Sequence, residues 1–118
     1  MSNYIAITDR TKQFSLKIIK AYGWLKNQNE ECRIIGKQLF RSATSVGAML
    51  REAQSAQSSK DFVNKLEIGL KEARETQYWL ELLIESKLVS ADKFQPLLNE
   101  ANEIGKILVS STKKLKQK

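Results

Sequence analysis

The sequence predicts an all-α protein, an antiparallel up-down-up-down bundle of four helices. Three observations indicate this fold. The 118 residues include one proline and five glycines, apolar residues recur at spacings of three and four instead of alternating, and short polar breaks separate these periodic segments. The length fits a single domain over residues 1–118. We expect helices at about 9–26, 30–57, 59–87 and 92–114.

The first two segments each have one face suited to burial. In the first segment that face is formed by Phe14, Ile18, Tyr22 and Leu25. Asn29 is the predicted N-cap of the second segment, with acids directly after it. The second segment is also rich in small residues. Gly47 lies in its middle, where glycine destabilises a helix by about 1 kcal/mol relative to alanine. We therefore expect a neighbouring helix to approach closely there.

The third segment has the strongest periodicity. Its heptad-like seam consists of Phe62, Leu66, Gly69, Ala73, Thr76, Leu80 and Leu83. The sequence from Ser58 to Asp61 resembles a capping box. Acid–base pairs four residues apart should add support along the helix. These expected pairs are Asp61–Lys65, Glu67–Lys71 and Lys71–Glu75.

Large apolar residues also lie off this seam, so the third helix should contact more than one neighbour. Tyr78 and Trp79 are anchors of the kind enriched at interfaces, and core packing explains them equally well. In the fourth segment, Ser90 is a possible N-cap. Pro96 lies too deep for a first turn, which predicts a kink or a later start near Gln95.

The composition excludes several kinds of chemistry. With no histidine and one cysteine, the chain lacks a Cys/His zinc site, a histidine-based nucleophilic site and a Glu-x-x-His di-iron site. It has no phosphate-binding glycine loop or nucleophile elbow. Basic residues at helical spacing from Glu52, Glu72 and Glu75 favour ion pairs over catalysis. We predict no enzymatic activity, no metal and no cofactor.

No stretch has the features of a secretion signal or a membrane span. A single thiol suits a reducing compartment, so the expected location is the cytoplasm, with no membrane partner.

The net charge of +7 is unevenly placed. Residues 1–59 carry +5, residues 60–90 carry −1 and residues 91–118 carry +3. The functional interpretation is a surface that binds RNA phosphates. The predicted contacts are Arg10, Lys12, Lys17, Lys20, Lys37, Arg41, Arg51, Lys113, Lys114 and Lys116. The alternative is a solvated face with a solubilising tail, which explains a lone monomer better. An oligomer would multiply the basic surface and favour the functional interpretation.

Two stretches resemble a known family. They are RSATSVGAMLREAQSAQSSKDFVNKL at residues 41–66 and IGLKEARETQYWLELL at residues 68–83. The pattern of serines, glycine and Glu-Ala, then Lys-Asp-Phe, then Lys-Glu-Ala-x-Glu-Thr-x-Tyr-Trp-Leu is similar to bacterial proteins encoded in intervening sequences of 23S ribosomal RNA genes. A related branch is the accessory variability protein of diversity-generating retroelements, which works with a reverse transcriptase and RNA.

The resemblance implies an antiparallel four-helix bundle that assembles into a homopentameric ring. It gives no signature residue a catalytic role. The predicted interface or core residues are Phe62, Leu70, Tyr78, Trp79 and Leu82. One departure from the pattern is Arg51, an extra base before Glu52, which could contact an anion or pair locally.

The leading hypothesis is a non-enzymatic oligomer that binds structured RNA through basic surfaces, with the ribosomal RNA intervening sequence as the context that the resemblance suggests. The alternative is a protein-interaction scaffold, or an accessory subunit of a nucleic-acid enzyme such as a reverse transcriptase.

Overall fold

Four helices form the protein in a computed structural model that describes residues 2–117, with side chains described for residues 6–117. The helices are α1 (Ser2–Leu25), α2 (Glu30–Ala53), α3 (Ser59–Glu85) and α4 (Ala91–Lys116). The described chain contains no strand. The molecule is a rod with extents of 47 × 20 × 20 Å. The all-α fold class is confirmed.

The helices occupy the four corners of a bundle. Each helix packs against its neighbours in the chain, and α1 also packs against α4. Within residues 2–117 the diagonal pairs, α1 with α3 and α2 with α4, have no close backbone approach. A single apolar core therefore runs along the rod between all four helices.

Two of the helix starts follow from capping chemistry. The Asn29 side chain accepts a hydrogen bond from the Cys32 backbone N–H at 2.8 Å, and the Ser58 hydroxyl oxygen accepts one from Asp61 N–H at 3.0 Å. Asp61 in turn accepts from the Gln57 N–H, one residue before the position expected in a capping box. Ser90 precedes α4 as expected, but its side chain makes no capping hydrogen bond.

The ends of α1 and α2 differ from the prediction. α1 begins at Ser2, not near residue 9, because Ile7 and Thr11 extend the buried stripe toward the N-terminus. α2 ends at Ala53, not at residue 57. There the backbone bonds tighten to a three-residue spacing, as in Ala56 N–H to the Ala53 carbonyl, which ends the α-helix.

α4 starts earlier than the sequence suggested. It begins at Ala91 and contains Pro96, so the expected later start near Gln95 is wrong. Proline removes the donor for the carbonyl four residues earlier, which belongs to Asp92. Both residues are exposed, so water can hydrogen-bond to that carbonyl.

The third helix supplies the centre of the core. Six of the seven seam residues are buried, and Phe62 is half-buried against them. Thr76 and Ser42 are fully buried, and their hydroxyl oxygens lie 2.9 Å apart between α3 and α2. Each hydroxyl also lies within hydrogen-bond distance of a carbonyl in its own helix, so the polar pair is satisfied.

Gly47 lies where α2 and α1 approach closely, as expected. A Cβ atom at this position would lie 3.4 Å from the Ser15 Oγ and 3.5 Å from the Thr11 carbonyl oxygen. The site has room for a methyl group, whereas a longer side chain would press against the α1 backbone. The close contact of the two helices explains the small residue here.

The ion pairs of α3 join it to other helices. The expected pairs Asp61–Lys65, Glu67–Lys71 and Lys71–Glu75 do not form. Instead Lys65 contacts Glu52 at 3.6 Å, while Glu67 pairs with Lys116 and Glu75 with Arg41. The prediction was wrong because spacing along one helix says nothing of charges that the neighbouring helices bring closer.

Candidate nucleic-acid interface

The ten basic residues predicted to contact RNA differ in how they are held. Three are bound to acids on other helices: Arg10, Arg41 and Lys116. The other seven have no acidic partner within ion-pair distance in the described chain, and they are exposed. These seven are Lys12, Lys17, Lys20, Lys37, Arg51, Lys113 and Lys114. An anionic ligand could approach them without displacing a carboxylate.

Arg10 is bound to Glu100 through two hydrogen bonds. Its Nε and Nη2 donate to the two carboxylate oxygens at 2.6 and 2.8 Å, which joins α1 to α4. This hydrogen bonding is the main reason why the pKa of Glu100 lies below its ordinary value. Bidentate pairs of this kind fix geometry as well as charge. Arg10 is therefore better explained as a bundle contact than as a free phosphate ligand.

Arg41 likewise holds the bundle together. Its guanidinium contacts Glu72 at 3.3 Å and also pairs with Glu75, so it joins α2 to α3. Glu75 accepts a further hydrogen bond from the Trp79 indole N–H at 3.0 Å. Two of the carboxylates considered for catalysis are thereby engaged by a base, and Glu52 is engaged by Lys65.

The structure brings two of the predicted bases together with a third that the sequence analysis missed. Lys17 and Lys20 of α1 face Lys93 of α4 across a shallow groove of about 500 Å³. The large apolar residues in this groove are Trp24, Phe94 and Leu97. We call these six residues the α1–α4 groove.

Two signals in the sequence could have indicated the groove. Lys17, Lys20 and Trp24 follow spacings of three and four, which place them on one side of a helix. Lys93 lies in the first turn of α4, where the helix dipole disfavours a cation. Neither signal shows that α1 and α4 lie side by side, which only the fold supplies.

A second group gathers where α1 begins and α4 ends. Arg10, Lys106 and Lys114 border a hollow whose floor includes Phe62 and Ile107. Lys106 was not among the predicted contacts, and it pairs with Glu103 at 3.4 Å. The structure thus places Lys114, near the end of α4, beside α1, whereas Lys37 and Arg51 lie on α2, outside both hollows.

The five residues predicted for an interface or the core are not fully buried. Phe62, Leu70 and Trp79 are half-buried and pack against the core, and Leu82 is also half-buried. Tyr78 is 53% exposed, and its ring lies edge-on to Trp79 with centroids 5.2 Å apart. The outer side of α3 therefore leaves apolar surface that the bundle itself does not cover.

The remaining reactive group is a buried thiol. Cys32 is fully buried, and burial raises its pKa. Among the described residues, no group of three or more cysteine and acidic side chains is placed to hold a metal ion.

No helix of the described chain is both long enough and apolar enough to span a bilayer.

Comparisons with known proteins agree with this architecture. A crystal structure of a protein of unknown function from the S23 ribosomal protein family of Bacteroides thetaiotaomicron superposes with a TM-score of 0.85. It is 42% identical, and the match covers 93% of this chain and 97% of the other. No curated protein matches significantly. The family model described as 23S rRNA-intervening sequence protein matches residues 4–110. The chain therefore belongs to the 23S rRNA-intervening sequence protein family.

Proposed function

We propose that this protein is a non-enzymatic, oligomeric RNA-binding protein of the cytoplasm, and that it binds structured RNA through basic surfaces on α1, α2 and the end of α4. The observation that carries the proposal is the set of seven exposed bases without an acidic partner in the described chain. The family description names 23S ribosomal RNA intervening sequences, and an RNA of that kind is the ligand we propose.

The surface suits contacts to the phosphate backbone. Helices with scattered lysines supply charge without an evident pattern of base recognition. Each lysine that neutralises a phosphate releases counterions, so binding of this kind weakens steeply as salt rises. The ligand would therefore be recognised by its shape and charge.

The absence of catalysis is also part of the proposal. Glu52, Glu72 and Glu75, the acids considered for chemistry, each pair with a base of a neighbouring helix. A carboxylate held in this way is occupied in structural contacts. Cys32 has no exposed surface from which to attack a substrate.

The proposed topology is antiparallel, up-down-up-down. Ser15 lies near Ala43, whereas Tyr22 seven residues later contacts Phe40, so the contacts move forward in α1 and backward in α2. The same opposition holds between α2 and α3, where Ser42 contacts Thr76 and Glu52 contacts Lys65.

The proposed assembly is a homopentameric ring, and the exposed apolar side chains on α3 supply its interface. Tyr78 is the most exposed of the five predicted interface residues. Light scattering should give a mass near five times that of the 13.5-kDa chain. A monomeric mass at all concentrations would exclude the ring.

An interaction scaffold is the second candidate, as an accessory subunit of a nucleic-acid enzyme such as a reverse transcriptase. Exposed apolar residues outside α3 favour it, because Leu16 is 51% exposed and Ile34 is 57% exposed. Exposed apolar surface of this kind is available for contact with a protein partner. Under this alternative, an affinity partner would survive nuclease treatment.

Binding of a labelled RNA hairpin at low salt tests the RNA proposal. We compare the wild-type chain with the variant Lys12→Ala/Lys37→Ala/Arg51→Ala, which removes unpaired bases from α1 and α2. The matched control is Lys60→Ala/Lys71→Ala/Arg74→Ala on α3, the helix with net negative charge. The first variant should lose affinity and about one unit of salt slope per phosphate contact removed.

The control variant should bind the hairpin like the wild-type chain. Equal losses in both variants would mean that only total charge matters. The absence of binding by the wild-type chain at low salt would overturn the proposed function itself.

A further inference from the structure

We propose that the α1–α4 groove binds a single-stranded segment of RNA, with a base stacked on Trp24 and phosphates held by Lys17, Lys20 and Lys93. This inference rests on the proposed RNA-binding function and assigns a particular site to it. It adds recognition of an unpaired nucleotide to a surface otherwise suited only to backbone charge.

An exposed aromatic ring forms the floor of the groove. Trp24 is 45% exposed, although tryptophan usually buries most of its surface. Its ring lies beside Phe94 with centroids 6.1 Å apart, so the buried ring of Phe94 supports it from within the bundle. A supported and open indole is a platform on which any base can stack.

Three lysines surround this aromatic floor. Lys17 and Lys20 come from one wall and Lys93 from the other, so positive charge borders the apolar surface on both sides. None of the three is in an ion pair within the described chain. The nearby carboxylate of Glu100 is already engaged by Arg10.

These two features together select the ligand. A fatty acid brings one carboxylate and an alkyl chain, which leaves two lysines without a partner. A strand of RNA brings a phosphate for each nucleotide and flat bases between them, which matches three cations around an indole. Aromatic platforms flanked by positive charge are the usual design of single-strand sites.

The site is also accessible in the proposed assembly. The groove lies between α1 and α4, whereas the predicted interface residues Leu70, Tyr78 and Leu82 lie on α3. Oligomer formation through α3 would leave the groove open and would repeat it once in every subunit.

Tryptophan fluorescence gives a direct test. The variant Trp79→Phe retains Trp24 as its one tryptophan, and it is titrated with a uridine oligonucleotide, a blunt RNA duplex, a mononucleotide and an acidic peptide. The oligonucleotide should quench Trp24 through stacking. The blunt duplex should bind without quenching, and the mononucleotide should bind more weakly than the oligonucleotide because it carries fewer phosphates.

Substitutions give the matched comparison. Trp24→Ala should weaken binding of the single strand about tenfold or more, and Trp24→Phe should restore most of it. Lys17→Ala/Lys93→Ala should lower the salt slope for the single strand by about 1.4, because each phosphate contact on a single strand contributes about 0.7. The control is Ile34→Ala on α2, an exposed apolar side chain outside both the groove and the proposed α3 interface, which should bind like the wild-type chain.

Several results would overturn the site. They are an unquenched Trp24 with the oligonucleotide bound, equal affinities in Trp24→Ala and Ile34→Ala, and stronger binding of the acidic peptide or the mononucleotide than of the oligonucleotide. In each case hairpin binding by the wild-type chain would leave the proposed function standing. The loss of all RNA binding at low salt would remove both proposals.

Discussion

The α2–α3 and α1–α4 contacts of this bundle are built differently. Between α2 and α3, buried hydroxyls meet at 2.9 Å, and two sets of ion pairs bridge the helices. α1 and α4 pack least closely of the adjacent pairs, with one bidentate ion pair and an open groove. The difference indicates that the first contact supplies stability, whereas the second leaves surface for a ligand.

The largest expected effect comes from truncating the core of α3. Leu80 is fully buried one turn after Thr76, so Leu80→Ala should lower the free energy of unfolding by about 2–5 kcal/mol. Leu97 is half-buried in the groove. Leu97→Ala should cost about 1 kcal/mol, because water already reaches part of that side chain.

Urea denaturation of the two variants measures this contrast. Equal losses of stability would show that the groove is as much a part of the core as the centre of α3.

The next largest loss of stability is expected from the buried hydroxyl pair of Ser42 and Thr76. Thr76→Val keeps the volume of the side chain and removes the hydrogen bond to Ser42, whose hydroxyl retains its contact with the Leu39 carbonyl, so the change should cost about 1 kcal/mol. The double variant Ser42→Ala/Thr76→Val should cost less than the sum of the single changes, because each single change removes the same hydrogen bond. Strictly additive losses in a double-mutant cycle would show that the two hydroxyls do not interact.

The smallest expected loss of stability comes from breaking the Arg10–Glu100 ion pair between α1 and α4. Its hydrogen bonds lower the pKa of Glu100, so its stabilisation is complete above the ordinary glutamate pKa of about 4.3. That stabilisation disappears as the pH falls through the lowered value. Glu100→Gln should therefore destabilise by about 0.5–1 kcal/mol at neutral pH, with the difference shrinking below about pH 4.3.

Thermal melts across this pH range provide the measurement, with Glu81→Gln as control because Glu81 is exposed on α3 and has no ion pair in the described chain. A difference between the wild-type chain and Glu100→Gln that grows on acidification would contradict this account.

Much of the fold followed from local sequence rules. The positions of Leu66, Ala73 and Leu80 at heptad spacing predicted the buried side of α3. Asn29 and Ser58 predicted two helix starts, because capping depends only on residues within one turn. These features need no knowledge of which helices are neighbours.

Predicting the ion pairs and the groove would have required knowing which helices are neighbours. Lys65 has an acid at helical spacing in Asp61, yet it contacts Glu52 of another helix. Lys93 lies in the same groove as Lys17 only because α4 packs beside α1. Sequence reasoning found most of the charged residues of the candidate interface, but it could not separate those that hold the bundle from those that remain free.

The central claim is that the exposed, unpaired bases of α1, α2 and the end of α4 bind RNA, and the salt dependence of hairpin affinity for the full chain tests it most directly. We expect tight binding at low salt, with the logarithm of affinity falling linearly as the logarithm of salt concentration rises. An affinity that is absent at low salt, or that does not change with salt, would contradict the account.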